Sequence, residues 1–191
     1  MPGRQAKILS ETTLRRALSI ASRSITPERD CAMVLLSVRA GLRACEIAGL
    51  EWSMLLDSRG HVGSVIELHD AIAKCGSGRR IPIHPELRTA LRRLRRSDHH
   101  PRHVIPSARG GGLRANSVVN FFVALYARVG AAGCSSHSGR RTFITHAARG
   151  AHRAGASLRD VQLLAGHRSI ETTQRYIDGD SDAQQRLVRG L

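Results

Sequence analysis

Residues 136–147, SHSGRRTFITHA, and residues 157–178, SLRDVQLLAGHRSIETTQRYID, decide how this chain is read. In the first stretch His137 and Arg140 stand three apart where a helix is expected to begin, so the two side chains share a face. In the second, His167 precedes Tyr176 by nine residues across a short helical turn. Singly, none of these residues points to chemistry, since a lone histidine is more often structural or solvated than reactive. Tyr126, the other tyrosine, lies inside an apolar helical stretch where a core role is expected.

Working outward, residues 41–50 read GLRACEIAGL. Gly41 breaks a preceding helix, Arg43 heads the next one, and Glu46 follows one turn later, where it can hold the Arg43 guanidinium in place. Between Met54 and Ile83 the periodicity changes. The runs MLLD, SVIELH and RIPI, separated by SRGHVG and CGSGR, predict a small three-stranded antiparallel sheet with Lys74 at or beside its second turn. Of 30 lysines and arginines only Lys7 and Lys74 are lysines. A lysine in a chain that otherwise uses arginine supplies what arginine cannot, a proton that can be released.

In their order and local sequence, Arg43, Lys74, His137, Arg140, His167 and Tyr176 resemble the catalytic domain of tyrosine recombinases, the phage-integrase family. The likeness covers nearly the whole chain. It implies DNA strand cutting and rejoining through a 3′-phosphotyrosine. A phosphodiester is anionic, so its cleavage needs cations on the nonbridging oxygens, an in-line nucleophile and a proton for the leaving oxygen. Arg43 and Arg140 stand at the family's two arginine positions, and an arginine fork suits phosphate. By resemblance Lys74 is the general acid toward the 5′ oxygen, His137 assists proton transfer at the nucleophile, His167 donates to a nonbridging oxygen, and Tyr176 attacks. The covalent intermediate keeps the bond energy, so rejoining requires no cofactor, neither ATP nor metal.

There are departures from the family pattern. Ser138 and Gly139 stand where an acidic and an apolar residue are common, and Arg141 where a histidine is frequent. Gly139 in a first helical turn costs about 1 kcal/mol against alanine and is expected to loosen Arg140. Most relatives also carry a separate helical DNA-binding domain ahead of the catalytic one, whereas this chain starts almost where the catalytic domain starts. A partner or a missing N-terminal domain is therefore expected to complete the grip on DNA.

The composition agrees with a polyanionic partner: 30 Lys and Arg against 15 Asp and Glu give a net charge of +15. Aromatic residues are 3% of the chain, too few for stacking platforms, so contact is expected through phosphate of double-stranded DNA. Cys31, Cys45, Cys75 and Cys134 form no CxxC pair, which suggests neither a zinc module nor a disulfide framework. The N-terminus lacks the apolar run of a signal peptide, and no stretch approaches the ~18 apolar residues of a membrane span. A cytoplasmic, nucleoid-associated protein with no membrane partner is expected.

The remaining periodicity is helical. Ser10 can cap a helix with Leu14, Ala17, Leu18 and Ala21 on one face. Thr26, Pro27 and Glu28 open the central buried helix through CAMVLLSVRA. After His84, residues Leu87, Ala90, Leu91 and Leu94 face inward, while Arg88, Arg92, Arg93, Arg95 and Arg96 form a solvated face. A helix over 117–129 buries Val118, Phe121, Phe122, Leu125 and Val129. The fold expected is mainly α with a small three-stranded antiparallel β-sheet (α+β). Residues 1–9 form a basic tail, 10–180 one catalytic domain, and 181–191 a C-terminal helix that docks on a neighbouring protomer in a tetramer on DNA, the free protein being a monomer. Two other functions are kept open: an idle or regulatory DNA-binding module, and relaxation of DNA in the manner of a type IB topoisomerase.

Overall fold

The computed structural model describes residues 6–73, 76–97, 102–107, 109–176 and 188–189. Lys74 and most of the 181–191 segment lie outside them. The chain divides into two compact units, Met1–Phe143 and Ile144–Leu191.

In the first unit, α1 (Glu11–Ala21) starts at Ser10, whose hydroxyl accepts a hydrogen bond from the Thr13 amide at 3.1 Å. Its face of Leu14, Ala17 and Ala21 is buried. Helix α2 (Pro27–Arg39) is the central one, buried continuously from Ala32 to Val38. Thr26 precedes it without capping the backbone, because its hydroxyl donates instead to Asp30 Oδ1 at 3.1 Å. Short α3 (Ala44–Gly49) follows Gly41, and a 3₁₀ turn covers Trp52–Met54. Helix α4 (Pro85–Ser97) packs on α2, while α5 (Ala115–Val129) packs on α1 and α3. Leu36, Leu42, Leu87, Leu91, Val118 and Phe122 form the fully buried centre.

Among the described residues the sheet has two strands where three were expected. Strands β1 (Val65–Leu68) and β2 (Arg79–Pro82) pair antiparallel, with Ile66 opposite Ile81 and Leu68 opposite Arg79. The 54–57 run forms only the isolated bridge Leu56–Val62. Its beginning is taken up by the 3₁₀ turn, and Asp57 Oδ1 accepts from the amides of Arg59 and His61, closing a tight turn before a ladder can grow.

The arginine face of α4 is partly engaged with the protein itself. Arg88 donates through Nε and Nη2 to the Val62 carbonyl, and Arg95 lies 5.0 Å over the Trp52 ring. Arg92, Arg93 and Arg96 are exposed, as a solvated face requires.

Helix α6 (Ser138–Gly150) carries the division between the units. Gly139, expected to loosen Arg140, instead lets the helix approach α2. A Cβ there would run into the Ser37 hydroxyl and the Val38 side chain. The second unit contains α7 (Leu158–Ala165) and α8 (Ile170–Gln174), which pack on each other. Ser157 and Asp160 form a reciprocal capping box at the start of α7, and Gly166 ends it at φ 63°. Among the described residues no helix is long and apolar enough to cross a membrane.

Candidate active site

In the first unit the two arginines of the sequence motif meet at one turn of backbone. Arg43 directly precedes α3, and its amide donates to Glu46 Oε2 at 2.9 Å. An arginine has no acceptor to offer the opposite half of a capping box, so its guanidinium turns to the same carboxylate, with Nη1 2.7 Å from Oε1. Arg140, in the first turn of α6, is almost wholly buried and donates from Nη1 to the Gly41 carbonyl at 2.6 Å. Gly41 adopts φ 64°, and a Cβ on it would collide with the Phe143 ring. Glycine is therefore needed at this position both for the left-handed backbone and for the space.

Sequence reasoning assigned Glu46 a supporting role but missed its second partner. Arg79, the first residue of β2, donates Nη1 to Glu46 Oε1 and Nη2 to Oε2, both at 3.0 Å. Glu46 is fully buried. Burial alone would raise its carboxyl, but the hydrogen bonds and charge of Arg79, joined by those of Arg43, outweigh it and hold the group at about 2. The clue was strand alternation, since residues 79 and 81 share a face and Ile81 is a core residue. An arginine on that inward face requires a buried partner.

His137 immediately precedes α6, exposed, with its carbonyl accepting from the Arg141 amide at 2.9 Å. It lies one turn ahead of Arg140, as the spacing predicted. Tyr126 belongs to the core: its ring stacks on Phe122 with centroids 5.7 Å apart, and burial pushes its hydroxyl well above the usual phenol range. Lys74 falls outside the described residues.

The second unit brings His167 and Tyr176 together. Their rings stack with centroids 5.6 Å apart at 23°. His167 Nδ1 lies 2.9 Å from the hydroxyl of Thr173, which is fully buried. The His167 backbone is tied from both sides by Gln162, whose Nε2 donates to the His167 carbonyl at 2.9 Å and whose carbonyl accepts the His167 amide at 3.1 Å. Thr173 and Gln162 were not singled out from the sequence, although a glutamine inside the buried face of α7 was a visible signal.

The chain is similar to several known proteins. The chain is 31% identical over 186 residues to the tyrosine recombinase XerD of Rickettsia bellii (strain RML369-C), covering 89% of this chain and 59% of that protein. To the tyrosine recombinase XerC of Myxococcus xanthus it is 30% identical over 164 residues, 78% of this chain and 49% of the relative. The chain thus spans about half to three fifths of the length of these relatives. In fold it matches the crystal structure of XerA recombinase with a TM-score of 0.76 at 24% identity, covering 99% of this chain and 66% of that one. It also matches the Tn1549 transposon integrase in complex with a circular intermediate DNA, with a TM-score of 0.77 at 18% identity over 100% of this chain and 67% of that one. The model of the phage integrase family matches residues 7–182, so with its paired arginines and its histidine–tyrosine stack this chain belongs to that family.

Proposed function

We propose that this chain is the catalytic part of a site-specific DNA recombinase or integrase acting through a 3′-phosphotyrosine. The observation that carries the proposal is the junction at residues 41–43. Arg140 is bonded to the carbonyl of Gly41 while Arg43, two residues on, is pinned to Glu46. Two arginines far apart in sequence are thus tethered to one turn, an arrangement suited to cradling the nonbridging oxygens of one phosphate. Tyr176 attacks phosphorus, its phenol proton passing to His137. The 5′ oxygen leaves with a proton from Lys74, and His167 donates to a nonbridging oxygen. Attack by another 5′ hydroxyl reverses these steps and releases Tyr176, so the number of phosphodiester bonds is unchanged.

The partner is double-stranded DNA, gripped mainly through phosphate by a chain of net charge +15. A partner or further domain completes the grip, in keeping with the greater length of the recombinases it resembles. Free protein is a monomer and the DNA-bound form a tetramer, linked by residues 181–191 docking on a neighbouring protomer. The exposure of Val188 fits such an apolar contact. Deletion of 181–191 should then preserve single-site cleavage and impair strand exchange.

The deciding experiment uses a nicked suicide duplex and a denaturing gel. A covalent adduct with protein on the 3′ end and a free 5′ hydroxyl supports the mechanism, and a 5′ linkage overturns it. Absence of any adduct, with DNA still bound, would leave an idle binding module. Relaxation of supercoiled DNA without strand exchange would indicate a topoisomerase.

A further inference from the structure

Both oxygens of Glu46 are bonded by two different arginines, and those arginines are not equivalent. Oε1 accepts from Arg43 Nη1 at 2.7 Å and Arg79 Nη1 at 3.0 Å; Oε2 accepts from the Arg43 amide at 2.9 Å and Arg79 Nη2 at 3.0 Å. Arg79 makes the two-pronged pair, whereas Arg43 reaches the carboxylate with one guanidinium nitrogen. The Arg79 side chain is 5% exposed and that of Arg43 17%. A Glu46–Arg43 pair alone would cancel the charge that Arg43 needs for a phosphate, and a buried ion pair by itself is a weak source of stability. With Arg79 included the cluster carries one net positive charge. Glu46 can then grip Arg43 without neutralising it.

We infer that Arg79 is a positioning residue for Arg43: it holds the Glu46 carboxylate from the far side, so that Glu46 aims the Arg43 guanidinium while Arg43 keeps its charge for the phosphate of bound DNA. This rests on the strand-transfer function proposed above. The same contact joins β2, the strand that follows Lys74 in sequence, to the helix headed by Arg43.

The test compares Arg79→Gln, Arg79→Lys and the double variant Arg79→Gln/Glu46→Gln with the unaltered chain. Two quantities are followed against pH: the ¹⁵N resonances of the Arg43 guanidinium in the free protein, and the rate of adduct formation on the suicide duplex. In the unaltered chain the Arg43 signal is flat between about pH 8 and pH 5, and each variant's rate is read as a ratio to the unaltered chain's at the same pH, so that titration of the catalytic groups they share cancels. In Arg79→Gln, burial is no longer opposed by the stronger partner, so Glu46 takes up a proton in that range. The Arg43 signal then broadens as pH falls, and the rate drops about tenfold per pH unit below the transition. DNA affinity falls only a few-fold, because at most one phosphate contact among several is weakened. The double variant is slow at every pH but lacks the acid limb, which a general loss of structure would not arrange. A flat profile and an unchanged Arg43 signal in Arg79→Gln would overturn the inference, as would an acid limb surviving in the double variant. If Arg79→Gln does not fold, Arg79→Lys decides. It keeps the charge and loses the second prong, so the Arg43 signal broadens and the rate falls about tenfold; unaltered behaviour on both counts overturns the inference. Failure of the unaltered chain to form any adduct would count against the proposed function, and the Arg43 signal would still decide this one.

Discussion

Arg140 donates a 2.6 Å hydrogen bond to the carbonyl of Gly41, a residue 99 positions earlier in the chain. Since Gly41 lies two residues before Arg43, one buried guanidinium fixes the turn that launches the other. The turn depends on a left-handed glycine whose Cα faces the Phe143 ring.

Gly41→Ala is therefore expected to be costly twice over. The left-handed backbone alone costs roughly 1–2 kcal/mol, and displacement of Phe143 adds to it. Urea unfolding should show a loss of about 2 kcal/mol or more. Adduct formation should fall further than stability explains, because the carbonyl held by Arg140 moves.

Tyr176→Phe should abolish the covalent adduct while leaving DNA affinity nearly unchanged. Tyr126→Phe should retain the adduct. Because the Tyr126 hydroxyl is buried without a hydrogen-bond partner among the described residues, removing it should leave stability within about 1 kcal/mol or raise it. Loss of the adduct in Tyr126→Phe would place the nucleophile wrongly at Tyr176.

For Lys74→Ala, slow cleavage of ordinary DNA should be largely restored by a substrate with sulfur at the bridging 5′ position, since a thiolate leaves without a proton. Arg43→Ala should remain slow on both substrates, because charge on the nonbridging oxygens is needed whichever atom departs. Equal defects on both substrates in Lys74→Ala would reduce Lys74 to a phosphate contact.

The depressed carboxyl of Glu46 makes an acid-stability prediction. Its folded value of about 2 lies below the ordinary 4.5, so its contribution is present in full above 4.5 and is lost as pH falls toward 2. Glu46→Gln should be less stable than the unaltered chain at pH 7 by on the order of 3 kcal/mol. That gap should close in denaturant titrations between pH 4.5 and pH 2; a gap independent of pH would show that the carboxylate charge contributes nothing.

Binding of this chain alone to DNA should be steeply salt-dependent. If about six phosphates are neutralised, log K should fall with log salt with a slope of about −5. Specific and random duplexes should bind within about tenfold of each other, since phosphate contacts position and base contacts specify. Salt-insensitive, selective binding would show that base readout lies within these residues.

What the sequence determined alone was whatever rests on neighbours along the chain. Ser10 starts α1, Pro27 and Glu28 open α2, Gly41 follows its end, and the apolar residues of α1, α2, α4 and α5 mark the core. The local motifs around Arg43, His137, Arg140, His167 and Tyr176 identified the family for the same reason, because each is a short run with its own spacing. Tertiary structure decided matters that depend on groups distant in sequence. Strand alternation puts Arg79 on the face of Ile81, but its partner, the Glu46 carboxylate 33 residues away, is supplied only by the tertiary fold. The glycine at 139 reads as a weak helix start until α2 is laid beside it, when the missing Cβ becomes the condition for close approach. The absent third strand has a similar cause. Residues 54–57 form a short apolar run that reads as a strand, but a strand needs a partner of matching length, and the turn closed by Asp57 leaves only a single bridge.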